Sequence, residues 1–260
     1  MPGLFYNLAS MLKVVVIGSG NVAQHLISVF NQSGNIKVVQ AFARNPAALY
    51  HLLTAEKITD SYPQIEEADV YFIAVSDNAV AGISSNLPFS GRLVVHTSGS
   101  IAITQLDAKN RRGVFYPLQT FSKQKDVDFS QVPICLESES EKDYAILKTL
   151  ADSASGNVYS INSQQRQSLH IAAVFVSNFV NHMYTLGNSI CEENQISFDI
   201  LKPLIQETAN KVQELQPKEA QTGPAKRHDT ATIDSHLNFL TDDNLKSIYK
   251  LLTKSIQSHT

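Results

Sequence analysis

Short apolar runs rich in β-branched residues alternate with helical patterns through the first half of the chain. Val14 to Ile17 is uninterrupted hydrophobic sequence, the mark of a strand buried on both faces. Gly18 ends it, and Asn21 to Asn31 then reads as a helix with Val22, Leu26, Val29 and Phe30 on one face. Lys37 to Phe42 predicts a second strand. A helix is expected to open at Asn45-Pro46, a cap residue followed by proline at the first helical position. Val70 to Val75 and Arg92 to His96 predict two more strands, which run into Ser76-Asp77 and Thr97-Ser98-Gly99-Ser100. Further strands are expected near Gly113 to Tyr116, Val132 to Leu136 and Asn157 to Ser160, with Glu139 to Ala151 helical before the last. Such alternation predicts a parallel sheet with right-handed crossovers.

From Ser163 onward the strand signal stops. Leu169, Ala172, Val176, Phe179, Val180, Met183, Leu186 and Ile190 recur at helical spacing, which predicts one long amphipathic helix over Ser163 to Ile190. Asp199 to Leu215, Thr232 to Leu240 and Asp242 to Ser258 follow as helices, broken at Gln216-Pro217 and Gly223-Pro224. The expected architecture is α/β: a Rossmann-like doubly wound parallel sheet over residues 11-161, then an all-helical domain over 162-260. Met1 to Ser10 reads as a loose extension or an upstream start, with the folded domain beginning at Met11.

Composition narrows the class. The chain has 260 residues, 43% hydrophobic and 17% charged, ordinary values for a soluble globular protein. A net charge of -3 gives no footprint for nucleic acid or an anionic membrane. No apolar run approaches the ~18 residues of a membrane span, and the N-terminus lacks a secretory pattern. Cys135 and Cys191 lie far apart, without metal or redox spacing, so no metal site and no disulfide framework are expected. A cytoplasmic protein is the default reading.

The first candidate chemistry is the turn Gly18-Ser19-Gly20-Asn21-Val22-Ala23. Gly18 permits the tight turn, Gly20 lets the backbone approach a pyrophosphate, and the small Ala23 lets helix and strand pack closely. The turn follows a buried strand and opens a helix, which is the context a dinucleotide site requires. An NAD site wants a carboxylate ~20 residues past the glycines, at the end of the second strand. This chain has no Asp or Glu before Glu56 and reads Ala43-Arg44-Asn45 there instead. A guanidinium at Arg44 suits a 2′-phosphate, so NADP is the expected cofactor, against a plain solvated loop cation.

In such a sheet, ligands lie beyond the carboxyl ends of the strands, so Val75, Ser76, Thr97, Ser98 and Gly99 are expected to line the ribose and nicotinamide. Ser76-Asp77 and Thr97 to Ser100 also serve as caps or turns, and Asp77 reads as a helix cap. His96 reads as a core histidine. On the long helix His170, Ser177, Asn181, Thr185 and Asn188 fall on one stripe, with Asn178 beside it. His170 is a candidate proton donor and Asn178 and Asn181 candidate substrate contacts, against the wet face of a helix or a subunit contact. Thr222-Gly223-Pro224 followed by Arg227 is a second candidate substrate element, with Arg227 a possible clamp for an anionic group; Asp229 and Thr230 can cap the next helix.

These segments, together with Tyr116-Pro117-Leu118-Gln119-Thr120-Phe121 and His170 to Asn178, resemble a family of NADP-dependent oxidoreductases that pairs a Rossmann-like domain with a helical domain of unknown function. Tyr116 departs from the histidine expected before that proline. The wider kinship implied is with ketopantoate reductase, pyrroline-5-carboxylate reductase and 6-phosphogluconate dehydrogenase, whose helical second domains often form dimers. The resemblance implies a helical domain like the C-terminal domain of the last. Ketopantoate reductases use a lysine with asparagines four and eight residues on; here those places read His170, Val174 and Asn178. The resemblance implies hydride transfer from NADPH to a small carbonyl or imine substrate between the domains, with a homodimer formed through the helical domain. A non-catalytic NADP-binding sensor or scaffold, and a deazaflavin-dependent NADP oxidoreductase, are the alternatives.

Overall fold

In the parallel part of the sheet, each strand sends alternate side chains to opposite faces, and both faces are covered. The strands are β1 (Leu12–Ile17), β2 (Ile36–Phe42), β3 (Ile58–Thr59), β4 (Val70–Ile73), β5 (Leu93–His96), β6 (Arg111–Pro117), β7 (Ile134–Ser138) and β8 (Val158–Ser160). Three helices accompany them: α1 (Asn21–Gln32), α2 (Asp77–Asn86) and α3 (Glu141–Asp152). Val14 and Val16, with Val70, Phe72, Leu93 and Val95, face Leu26, Ile27 and Phe30 of α1 and Leu147 and Leu150 of α3. Val15, Ile17, Tyr71, Ile73 and Val94 face Val80 of α2, Leu87 and Leu106. The continuous apolar runs of the sequence are strands buried from both sides, as expected.

The computed structural model describes residues 11–122, 125 and 127–259; the expected extension over Met1 to Ser10 lies outside them. Strand order is β3-β2-β1-β4-β5-β6-β7-β8, a Rossmann-like doubly wound sheet that reverses direction between β1 and β4. One expectation is corrected here: β6 and β7 pair antiparallel, Gly113 opposite Ser138. Among its described residues the connection from β6 to β7 holds no α-helix to carry the chain across the sheet, and β7 returns alongside β6. The helix expected at Asn45-Pro46 is also shorter, a 3-10 turn over Pro46–Leu49. Leu49 and Leu53 are buried there, and the chain reaches the edge strand β3 through short turns. The pattern had not signalled β3.

By compactness the chain divides into two units, the first ending at Ser177 and the second starting at Asn178. The first therefore includes α4 (Ser163–Ala173). Arg166 explains this, being 1% exposed and paired with Glu137 of β7. Its Nη2 also donates to Ile101 O at 2.6 Å and to Ser163 Oγ at 3.1 Å. Asn162 caps α4 in a capping box with Gln165.

The single long helix is the second correction. A π-helical turn over Val174–Phe179 separates α4 from α5 (Val180–Glu193). A π turn holds more residues than an α turn, so a stripe counted at 100° per residue loses its phase there. Val176 and Phe179 of the expected apolar stripe are accordingly 74% and 49% exposed rather than buried. Beyond α5, the second unit holds α6 (Lys202–Glu214), the short α7 (Pro217–Ala220), α8 (Thr230–Phe239) and α9 (Asp243–His259). Few of its apolar side chains are buried, among them Cys191, Ala225 and Ile233, while Ile200, Leu204, Phe239 and Leu251 are exposed. No helix of the described residues is long and apolar enough to cross a membrane.

Candidate functional site

The C-terminal ends of the strands in the first unit surround a cleft of about 1230 Å³. Its floor at the direction switch is the glycine-rich turn, with Gly18, Ser19, Gly20, Asn21 and Val22 on the wall. Gly18 has φ +133°, and a Cβ there would meet Ala74 O at 2.1 Å, so only glycine fits. A Cβ on Gly20 would meet nothing within 4 Å, because it would project into open space. Ala23 is absent from the cleft lining and is fully buried on the inner face of α1, where its small side chain permits close packing against the sheet. Helix α1 starts at Gly20 with no side-chain cap and no acidic residue in its first turn. Its free N–H groups and positive dipole end therefore suit a pyrophosphate. The residues present fit a dinucleotide.

The turn is braced from two sides. Gln24 Nε2 donates to Ser19 O, and Asn21 Nδ2 donates to Phe121 O, both at 2.8 Å. Phe121 also packs its ring 4.8 Å from that of His25. The segment after β6 thus closes over the start of α1, and Pro117, Gln119 and Phe121 reach the cleft.

At the end reached by β2, the wall is Ala43, Arg44 and Asn45, together with Asp60 and Tyr62 from beyond β3. Arg44 is exposed and makes no ion pair among the described residues. Asp60 was not anticipated, since no apolar pattern marks the two-residue strand that delivers it.

Val75, Ser76, Asp77 and Thr97 to Ser100 line the cleft beyond β4 and β5. Ser76, not Asp77, holds the cap position of α2, and Asp77 is the first helical residue. The Ser98 hydroxyl accepts from the N–H groups of Ser100 and Ile101, so turn formation occupies it. Gly99 has a steric reason: a Cβ would stand 2.7 Å from both His170 Nδ1 and Tyr116 Cζ.

That close approach exposes a pairing the sequence did not disclose. Tyr116 Oη lies 3.0 Å from His170 Nδ1, and both side chains line the cleft. Tyr116 had looked like a departure without a role. No spacing rule joins β6 to α4 across that many residues; only the aromatic–proline segment marked the place. Burial pushes the Tyr116 hydroxyl up to about 12, so it stays a phenol at neutral pH.

His96 is fully buried. Its Nδ1 accepts from Ser98 N at 3.2 Å, so Nε2 carries the proton in the neutral ring. Burial, aided by the Arg166 charge, lowers its pKa from the ordinary 6.5 to about 3. The unfolded chain therefore binds a proton below about pH 6.5 that the folded chain refuses until about pH 3. Stability should fall through this window, by about 2–3 kcal/mol between pH 7 and pH 4.5 from this group alone. Urea denaturation against pH checks this, with His96→Asn expected to flatten that part of the profile.

The remaining candidates belong to the second unit. Asn178 is exposed in the π turn, and Asn181 is exposed near the start of α5. Thr222, Gly223 and Pro224 enter a tight turn, with Gly223 at φ +102° and Asp229 N donating to Pro224 O at 3.0 Å. Arg227 is exposed on that turn. Asp229 caps α8 by accepting from Thr232 N, as the sequence allowed.

Two family models match successive parts of the chain. Residues 13–99 match the family described as NADP oxidoreductase, coenzyme F420-dependent, and residues 132–256 match a domain of unknown function, DUF2520. No curated protein matches the chain. Among solved structures, a proposed NADP oxidoreductase from Bacteroides fragilis is 39% identical, with 95% of this chain and 98% of that one covered and a TM-score of 0.85. A Thermotoga maritima protein is 20% identical over 94% of this chain and 99% of that one, with a TM-score of 0.74. A reductive aminase from Aspergillus terreus, solved with NADPH and ethyl-5-oxohexanoate, shares the fold at 13% identity, with 96% and 98% covered and a TM-score of 0.65. With a glycine-rich turn that fits a dinucleotide and a close relative aligned along nearly its whole length, the chain belongs to the NADP oxidoreductase family of the Bacteroides fragilis protein.

Proposed function

We propose that the chain is an NADPH-dependent reductase of a small carbonyl or imine compound. One observation carries this reading: the hydrogen-bonded Tyr116–His170 pair faces the same cleft as the glycine-rich turn. NADPH, when bound, supplies a hydride. Gly18 to Val22 with the start of α1 would hold its pyrophosphate, and Arg44 its 2′-phosphate. Val75, Ser76 and Thr97 to Gly99 would line the ribose and nicotinamide.

His170 would supply the proton. With Nδ1 engaged by Tyr116, Nε2 is the nitrogen left to donate to the developing alkoxide or amine. The phenol accepts from Nδ1–H both before and after Nε2 gives up its proton, so the pair would stay bonded through the step. Asn178, Asn181 and the Thr222-Gly223-Pro224 turn would position the substrate, and Arg227 would meet an anionic group on it. In this reading residues 11-161 are the cofactor domain and 162-260 the substrate and dimerisation domain. The exposed Ile200, Leu204, Phe239 and Leu251 suit a homodimer, and the two free, buried cysteines suit a cytoplasmic location.

The test is hydride transfer itself. The full chain is incubated with NADPH deuterated at the transferring position and a panel of small 2-oxo acids, aldehydes and imines. Deuterium should appear in one reduced product. Tight NADPH binding with no transfer to any compound would instead support the sensor reading. The F420-dependent description of the matched N-terminal family favours one further acceptor, an oxidised deazaflavin, which belongs in the same panel.

A further inference from the structure

We infer that Asp60 supplies, from the end of β3, the ribose-binding carboxylate that the end of β2 lacks, so the adenosine end of the cleft accepts NADH as well as NADPH. The inference rests on the reading of the cleft as a dinucleotide site and deepens it.

Sheet register makes the substitution of one strand for another possible. β3 runs parallel to β2, with Ala41 beside Ile58 and Phe42 beside Thr59, and Ala43 N donates to Thr59 O at 2.9 Å. The two chains thus leave the sheet together, Arg44 from one and Asp60 from the other, and both side chains line the cleft. A search along β2 alone misses the acid, because the carboxylate comes from the neighbouring strand.

The loop that carries Asp60 is held firmly, while Asp60 itself is left free. Thr59 Oγ1 donates to Gln64 Oε1 at 2.9 Å and accepts from Ser61 N at 3.1 Å. Gln40 Nε2 donates to Gln64 O at 3.0 Å, tying the loop back to β2. Tyr62 packs on Phe42 with ring centroids 4.7 Å apart. None of these bonds uses the Asp60 carboxylate, which is exposed and makes no ion pair among the described residues. Arg44 and Asp60 therefore do not neutralise each other and are both available to a ligand.

Their preferences oppose. A carboxylate accepts hydrogen bonds from the ribose hydroxyls of NADH and repels the 2′-phosphate of NADPH. The guanidinium attracts that phosphate and gains little from a neutral ribose. Together they give a site with a tempered preference for NADPH.

Fluorescence titration of the full chain with NADPH and with NADH tests this, and each variant serves as its own control for folding. Wild type should bind NADH within about tenfold of NADPH. Asp60→Asn should weaken NADH and strengthen NADPH, each by about threefold to fivefold, so that their ratio moves by roughly tenfold to twenty-five-fold. Arg44→Ala should move the ratio the other way. An unchanged ratio in Asp60→Asn overturns the inference while leaving the dinucleotide site intact. A wild-type chain that binds neither compound overturns that reading, and the inference with it.

Discussion

Replacing His170 by alanine is expected to lower hydride transfer by about a hundredfold to a thousandfold, while NADPH affinity stays within about twofold. The rate loss follows from removing the group placed to protonate the reduced centre. The unchanged affinity follows because the glycine-rich turn and Arg44, not His170, are the groups assigned to the phosphates. Tyr116→Phe separates the roles of the pair. It keeps the ring that packs against His170 but removes the hydroxyl 3.0 Å from Nδ1, and should cost only about tenfold. Single-turnover rates with a reducible substrate, beside NADPH titrations, check both variants. Full turnover in His170→Ala would remove the acid assignment.

Glu137→Ala should produce the largest loss of stability, about 3 kcal/mol, or roughly 6–12 °C in Tm for a chain of this size. Arg166 is 1% exposed, and Glu137 is its paired carboxylate, itself only 15% exposed at the side chain. Removing the acid leaves a guanidinium buried and unpaired, which costs far more than losing a surface ion pair. Ser163 would lose a partner too, since its hydroxyl donates to Glu137 and accepts from Ile103 N. Glu137→Gln, which keeps an acceptor in place, should lose less. Calorimetry of the two variants checks the order; equal melting temperatures would contradict it. Because Arg166 stands one helical turn before His170, this network also fixes the ring that faces the cleft. Glu137→Ala should therefore slow turnover even at temperatures where the protein remains folded.

The cofactor end of the cleft was legible because its causes are local. A buried strand, a glycine where φ is positive and a helix beginning with bare N–H groups are consecutive in the chain, and each leaves a mark in residue type. The π turn was not legible, because it lets α4 and α5 differ in phase through a change of hydrogen-bond pattern that residue types do not announce. The antiparallel β7 escaped because strand direction depends on what the connection does in space.

By itself, then, the sequence determined the alternation of buried strands and helices, the turn from Gly18 to Ala23, the lack of an acid after β2 and the helical character beyond Ser163. The tertiary structure alone decided which distant residues come together: Tyr116 with His170, Arg166 with Glu137, and Asp60 and Arg44 on the wall of one cleft. The physical reason is common to all three. Periodicity and turn chemistry report a residue's own backbone and its exposure. A contact between β6 and α4, or between the ends of two adjacent strands, depends on sheet order and register, which the packed core sets collectively.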